Sequence, residues 1–291
     1  MTAIRPRRSV LYMPGSNARA IGKAKILPAD GVIFDLEDAV APDAKAAARD
    51  QVCAAVAKGG YGDRELVIRV NGMDTEWWRH DMEAALRARP GAILLPKVES
   101  VKQLRDADRV VRHHDSSGDI ALWAMMETPL GVLHADDIAG YSGRLQCLVL
   151  GTSDLTKDLH AQHVPDRMPL LYALSKCLMA ARAFGLAVLD GVHLDLDDMN
   201  GFVAACEQGR AMGFDGKTLI HPKQIDPCND VFAPSQAQVE HAHKVIAAYQ
   251  EAVRQGKGVV VVDGALVENL HVENAQRMAS LHAAIERLSR G

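Results

Sequence analysis

Eight short apolar runs recur along the 291-residue chain, and their spacing constrains the fold more than any other feature. They are SVLYMP from Ser9, GVIFDL from Gly31, ELVIRV from Glu65, GAILLPKV from Gly91, ALWAMME from Ala121, CLVLG from Cys147, LAVLDG from Leu186 and KTLIHP from Lys217. Their starts lie about 20 to 40 residues apart, which suits strands buried on both faces and separated by helices. The intervals carry helix punctuation. Asp43 opens an Ala-rich run closed by Gly59 and Gly60, and Ser100 with Gln103 forms a capping-box pattern before VKQLRDADRVVR. Gly185 and Gly213 close the helices before the last two strands. Eight such alternations predict an α/β fold, a (β/α)8 TIM barrel, over residues 1–234. Past it, Ser235 and Gln238 open another capped helix to about Gln255. GKGVVVVDGALVENLHVENAQRMASL then reads as a strand-like hairpin and a final helix. Residues 235–291 exceed what a closed barrel needs and are expected to form a helical extension that serves as a lid or contacts a neighbouring subunit.

Composition narrows the class. With 48% hydrophobic residues the chain buries a substantial core, as one large domain or two small ones. Its 33 basic and 37 acidic residues form no basic stripe, and aromatic residues are few, which argues against a nucleic-acid partner. Cys53, Cys147, Cys177, Cys206 and Cys228 are odd in number and form no CxxC, so reduced thiols in a cytoplasmic protein are expected. The basic start MTAIRPRRSVLYMPG passes directly into a strand-like run and lacks the apolar core of a signal peptide. No apolar stretch approaches about 18 residues, so no membrane span is expected.

In a parallel barrel the reactive groups sit at strand C-termini. Strand two ends in Asp35, Glu37 and Asp38, strand three in Arg69 and Asn71, strand four in Lys97 and Glu99, strand five in Glu127 and strand six in Asp154. Glu127 and Asp154 lie one repeat apart and therefore side by side at the rim, where their oxygens can share one hard cation, Mg²⁺ or Mn²⁺, with positions left for water and substrate. The competing role for Asp154 is to cap the helix after strand six. Arg69 is placed to grip a carboxylate or a developing enolate oxygen, to pair with the carboxylates of DLED, or both. Asp35, Glu37 and Asp38 are read as support that holds metal-bound water and orients Arg69, with Glu37 and Asp38 preferred because Asp35 lies inside the strand pattern. The pairs His113/His114, His160/His163 and His241/His243 fall on helix faces or loops and are read as solvated, and Met125 and Met126 as barrel filling. GTSDL lacks the second glycine of a serine-hydrolase elbow, and no GxGxxG follows a strand.

The motifs RSVLYMPGSN, DGVIFDLEDAVAPDAKAAAR, RVNGMDTEW, LPKVES, METPLG, LGTSDL, FDGKTLIHPKQI and VDGALVENLHVENA together resemble the citrate lyase β-subunit-like proteins. That group includes malyl-CoA and citramalyl-CoA lyases and a malyl-CoA thioesterase. The resemblance covers nearly the whole chain. It implies a barrel assembled as a homo-oligomer, a trimer or hexamer, with Mg²⁺ held by Glu127 and Asp154 and an enolate stabilised by Arg69. It also implies a CoA thioester as substrate; the CoA is expected near PGSNARAIGKAK, with Lys23 or Lys25 as candidates to meet its phosphates, and His221, at the end of strand eight, is a candidate neighbour of the thioester. Members that condense as well as cleave offer an aspartate from the next subunit's tail, where this chain has Glu268 in ALVEN. The longer side chain puts condensation in doubt and points to activation of water instead.

The function expected from these residues is a Mg²⁺-dependent CoA-ester lyase that cleaves a malyl-CoA- or citramalyl-CoA-like 3-hydroxyacyl-CoA into a 2-oxo acid and acetyl- or propionyl-CoA. The alternatives are a (3S)-malyl-CoA thioesterase using the same site, and a subunit active only within a citrate lyase-like complex.

Overall fold

The computed structural model describes residues 4–290; the first three residues of the basic N-terminal stretch and Gly291 lie outside the described residues. The chain divides into two compact units, one spanning Arg7–Phe232 and one formed by Ala233 onward with the residues up to Pro6.

In the first unit, among the described residues, eight parallel strands close into a barrel in sequential order. They are β1 (Ser9–Pro14), β2 (Gly31–Asp35), β3 (Glu65–Arg69), β4 (Ala92–Leu95), β5 (Ala121–Met126), β6 (Leu145–Leu150), β7 (Ala187–Asp190) and β8 (Gly216–Leu219). The helices between them are α1 (Ala18–Lys23), α2 (Lys45–Lys58), α3 (Trp78–Ala88), α4 (Val101–His114), α5 (Pro129–Leu133), α6 (Ala135–Ala139), α7 (Thr152–Asp158), α8 (Leu171–Ala183) and α9 (Met199–Met212), with α10 (Ile225–Phe232) after β8. The Ser100/Gln103 capping box is present at α4. Gly185 and Gly213 end α8 and α9 with positive φ, as a left-handed turn requires. The start of α2 differs from expectation. A 3-10 turn over Pro42–Ala44 leads into it and no side chain caps it, so Asp43 lies in the turn instead of opening the helix.

Side-chain alternation with period two sorts each strand into two cores. Val10, Ile33, Val67, Leu94, Trp123, Val149 and Leu189 fill the barrel interior. The intervening residues, such as Leu11, Phe34, Ile68 and Leu148, pack outward against the helices. This double burial is why the runs are apolar throughout. The same alternation carries Tyr12, Asp35, Arg69 and Met125 upward from the interior layers to the C-terminal rim, with Asp35 and Arg69 direct register partners. A second buried charge cluster lies between sheet and helices. There Asp190 accepts hydrogen bonds from Lys217 at 2.8 Å and from Arg167 at 2.7 Å.

The second unit contains α11 (Gln236–Arg254), β9 (Val260–Val262), β10 (Ala265–Val267) and α12 (Asn269–Arg290). Ser235 and Gln238 form the capping box of α11. The strands are an antiparallel hairpin whose Asp263–Gly264 turn has positive φ at both residues, the geometry that makes Asp-Gly a favoured two-residue turn. Val262 and Val267 pack with Ala242, Val245, Val272 and Ala275. Among the described residues no helix is long and apolar enough to cross a membrane, and all five cysteines are free, four of them buried.

Candidate active site

The rim of the barrel holds a cavity of about 350 Å³ whose walls include Tyr12, Asp35, Asp38, Arg69, Met125, Glu127 and Asp154. Arg69 is its structural centre. Nε and Nη2 donate to the two oxygens of Asp35 at 2.7 and 2.6 Å, a bidentate pair, while Nη1 lies 2.8 Å from Glu37 and 3.4 Å from Asp38. The guanidinium stacks over the Tyr12 ring at 5.1 Å. Burial opposes its charge, but Asp35 more than compensates and holds the pKa above its ordinary value.

Lys97 links this cluster to Glu127. Its backbone is left-handed, with φ of 48°, a conformation that costs a lysine energy and concentrates at functional sites. There the amide donates to Glu127 Oε1 at 2.7 Å, and the ammonium reaches Glu37 at 2.7 Å and Asp154 at 3.4 Å. Glu127, the residue after β5, is only 2% exposed. Burial, reinforced by the charge of Glu37 and opposed by Arg69 and Lys97, pushes its pKa up to about 7. Glu127 Oε2 lies against Gly151, where an added Cβ would stand 2.5 Å from it. Asp154 sits in the first turn of α7, whose N-terminal residue carries no side-chain cap, so its carboxylate remains directed to the cavity and Lys97.

Five carboxylates, Asp35, Glu37, Asp38, Glu127 and Asp154, thus surround two buried or half-buried cations, Arg69 and Lys97. The excess negative charge and the hard oxygen donors of Glu127 and Asp154 fit a divalent cation of the Mg²⁺ type. Among the described residues no group of three His, Cys, Asp or Glu side chains is arranged to hold a metal, so two carboxylates are what this chain offers.

The structure therefore brings together Arg69, Glu37, Asp38, Glu127 and Asp154 from the sequence. The remaining candidates lie elsewhere. Lys23 is exposed in the last turn of α1. Lys25 donates to the carbonyl of Gly59 at 2.7 Å and lies over the Tyr61 ring. His221 is exposed, and its Nδ1 accepts the amide of Lys223 in the turn after β8. Glu268 is exposed in the second unit, between β10 and α12, where its amide donates to His271 Nδ1. Asn71 turns to α3 and donates to Asp81. Glu99 precedes the α4 cap: its amide donates to Gln103 Oε1 at 2.7 Å and its carbonyl lies 2.8 Å from His134 Nδ1. Asp35 and Tyr12 carry more of the site than the motifs suggested; counting inward by twos from Ile33 and Val10 would have found both.

The sequence profile of the HpcH/HpaI aldolase/citrate lyase family matches residues 8–222. The chain is 50% identical over 280 residues to a (3S)-malyl-CoA thioesterase of Cereibacter sphaeroides, covering 96% of each protein. It is 36% identical to the citrate lyase subunit beta of Escherichia coli K12, over 95% of this chain and 93% of that one. Among solved structures it is similar to CitE from Mycobacterium tuberculosis in complex with magnesium, acetoacetate and coenzyme A. The TM-score is 0.76 and the identity 28%, over 97% of this chain and 99% of that one.

Proposed function

The chain belongs to the HpcH/HpaI aldolase/citrate lyase family, and from that premise we propose that it acts on a malyl-CoA-like 3-hydroxyacyl-CoA and hydrolyses its thioester to malate and free CoA. The observation that carries hydrolysis is the 50% identity to a (3S)-malyl-CoA thioesterase over nearly the full length of both proteins. The glutamate at position 268, longer than the aspartate of condensing members, agrees with it.

Glu127 and Asp154 are the residues proposed to hold Mg²⁺, for which Mn²⁺ is a substitute of similar ligand preference. When bound, the ion supplies Lewis acidity to substrate oxygens and offsets the surplus carboxylate charge. The chain's own residues do the rest. Arg69, clamped by Asp35 and therefore unable to swing, presents fixed positive charge to the carbonyl oxygen that becomes an oxyanion. Glu37 and Asp38 hold Nη1 of that guanidinium and orient water. Glu268, brought by a neighbouring copy in a homo-oligomer, is the proposed base that takes a proton from the attacking water. Water oxygen bonds to the thioester carbon, the carbon–sulfur bond breaks, and the CoA thiolate leaves and is protonated.

A second reading is favoured by the citrate lyase relatives and by the same Arg69 geometry: cleavage of the carbon–carbon bond. The 3-hydroxyl loses its proton and becomes the carbonyl of a 2-oxo acid, and the thioester enolate that departs is protonated to acetyl- or propionyl-CoA. The deciding experiment incubates the purified protein with malyl-CoA and Mg²⁺ and follows free CoA, malate, acetyl-CoA and glyoxylate together by chromatography. Malate with free CoA and no glyoxylate is expected. Acetyl-CoA with glyoxylate would overturn hydrolysis in favour of the lyase reading, and inactivity of the isolated protein would favour a complex-bound subunit. Full activity of Glu127→Ala or Asp154→Ala would refute the metal site.

A further inference from the structure

The loop that carries Glu37 and Asp38 is built from both sides. Its amides are taken by Asp35, whose Oδ1 accepts from Glu37 at 2.9 Å and whose Oδ2 accepts from Ala39 at 3.2 Å. Its carbonyls are taken by Lys45. The Lys45 ammonium donates to the carbonyls of Leu36 at 2.8 Å and Glu37 at 2.7 Å, and lies 5.3 Å from the centre of the Trp77 ring.

Lys45 is 6% exposed, an unusual place for a lysine, and its charge is met by main-chain oxygens and an aromatic face, with no carboxylate in salt-bridge contact among the described residues. Asp35 and Lys45 therefore grip the same few peptide groups, one through N–H and the other through C=O. Between them they set the direction in which Glu37 leaves the backbone. Glu37 in turn bridges Arg69 at 2.8 Å and Lys97 at 2.7 Å. Trp77 belongs to the loop after β3, the strand that ends in Arg69, so the lysine ties two rim loops together.

We propose that Lys45 is a positioning residue: by holding the Leu36–Glu37 backbone it sets the Glu37 carboxylate between Arg69 and Lys97, and so sets the guanidinium that faces the substrate. The inference rests on the catalytic reading above. Lys45 touches no reacting atom, so its loss is read as a fall in turnover with little change in substrate affinity.

The test uses the full-length protein in the malyl-CoA assay. Lys45→Met keeps the apolar stem and removes the ammonium. Its kcat is expected to fall about 10- to 100-fold, the usual effect of removing a group that orients a catalytic one, with KM for the CoA ester changed less than about twofold. Amide hydrogen exchange over residues 36–40 is expected to accelerate while the other strand-end loops are unchanged. Lys45→Cys treated with 2-bromoethylamine regains an ammonium of the same reach and is expected to recover turnover, with the treated unmodified protein as control for Cys53. Wild-type kcat and exchange in Lys45→Met, or a loss shared equally by kcat and KM and not restored by aminoethylation, would overturn the proposal.

Should Lys45→Met fail to fold, Lys45→Arg decides. It keeps charge and donors but replaces one nitrogen by a planar fork, and is expected to lower kcat about tenfold at unchanged melting temperature. Wild-type kcat there would leave Lys45 a folding residue only. If the unmodified protein proves inert toward malyl-CoA, the catalytic reading fails by itself, and exchange over residues 36–40 still decides whether Lys45 holds the loop.

Discussion

Gly151→Ala tests the geometry of the site with the smallest possible change. Gly151 has φ of −97°, which any residue tolerates, so an effect there reports space and not backbone preference. An alanine Cβ would stand 2.4 Å from Glu127 Cβ, 2.5 Å from Glu127 Oε2 and 3.1 Å from Met125 Cε, against an ordinary contact beginning at 3.4 Å. Relief requires a shift of about 1 Å. Glu127 has little freedom to supply it, because Oε1 is tied to the Lys97 amide at 2.7 Å and the side chain is buried. A carboxylate displaced by about 1 Å in a site that depends on position is expected to cost about 100-fold in kcat/KM. Overpacking is expected to cost about 1–3 kcal/mol of stability. The assay is steady-state product formation from malyl-CoA with a thermal melt on the same preparation. Gly258→Ala is the control: its φ is not positive, nothing lies within 4 Å of the added Cβ, and the change should be neutral within about 0.5 kcal/mol. Wild-type kcat/KM and melting temperature in Gly151→Ala would refute the reasoning that Glu127 is held in place between Lys97 and Gly151.

Two further outcomes follow from the charge clusters. Arg69→Lys keeps the charge but cannot span both oxygens of Asp35; turnover is expected to fall about 100-fold, and retention of more than a tenth of it in the same assay would remove the bidentate clamp from the mechanism. Asp190 is wholly buried; burial would raise its pKa, but Lys217 first and Arg167 next bring it below the ordinary carboxylate value. Its stabilising contribution is therefore present above the unfolded value of about 3.9 and is lost as pH falls through the lower folded value. Urea midpoints should decline below about pH 4, and Asp190→Ala, which leaves Lys217 and Arg167 buried without their partner, should cost about 3–5 kcal/mol at pH 7. An unchanged midpoint at pH 7 would show that the cluster contributes nothing net.

The barrel was legible in the chain because its strands are buried on both faces and must be apolar throughout, while each crossover needs a helix of sufficient length. That regularity alone ordered the rim residues and predicted Glu127 and Asp154 at neighbouring strand ends, and both line the rim cavity. The Asp263–Gly264 hairpin was legible for a local reason, since the two residues specify the turn by their own conformational preferences. Helix starts were readable where a side chain caps them, as at Ser100 and Ser235, and misread at Asp43, where a proline-led turn does the work without a capping hydrogen bond.

What tertiary structure alone decided are distances and directions between residues far apart in the chain. Asp35 ranks below Glu37 and Asp38 in the sequence because it lies inside the strand pattern, yet it is the main partner of Arg69, because parallel register places the two last residues of β2 and β3 side by side on the inner face. Lys97 appeared as one rim charge among several. Its left-handed backbone, enforced by the packed surroundings against its own preference, lets one residue serve Glu127 with its amide and Glu37 with its ammonium. The same limit applies to the lysine at position 45, a helix residue by sequence whose destination depends on a carbonyl pair folded back beneath it. Local preference and burial pattern travel with the residue type and can be read in order. A carboxylate's pKa, a guanidinium's partner or the room beside Glu127 is a property of the space between elements, which exists only once the barrel has closed.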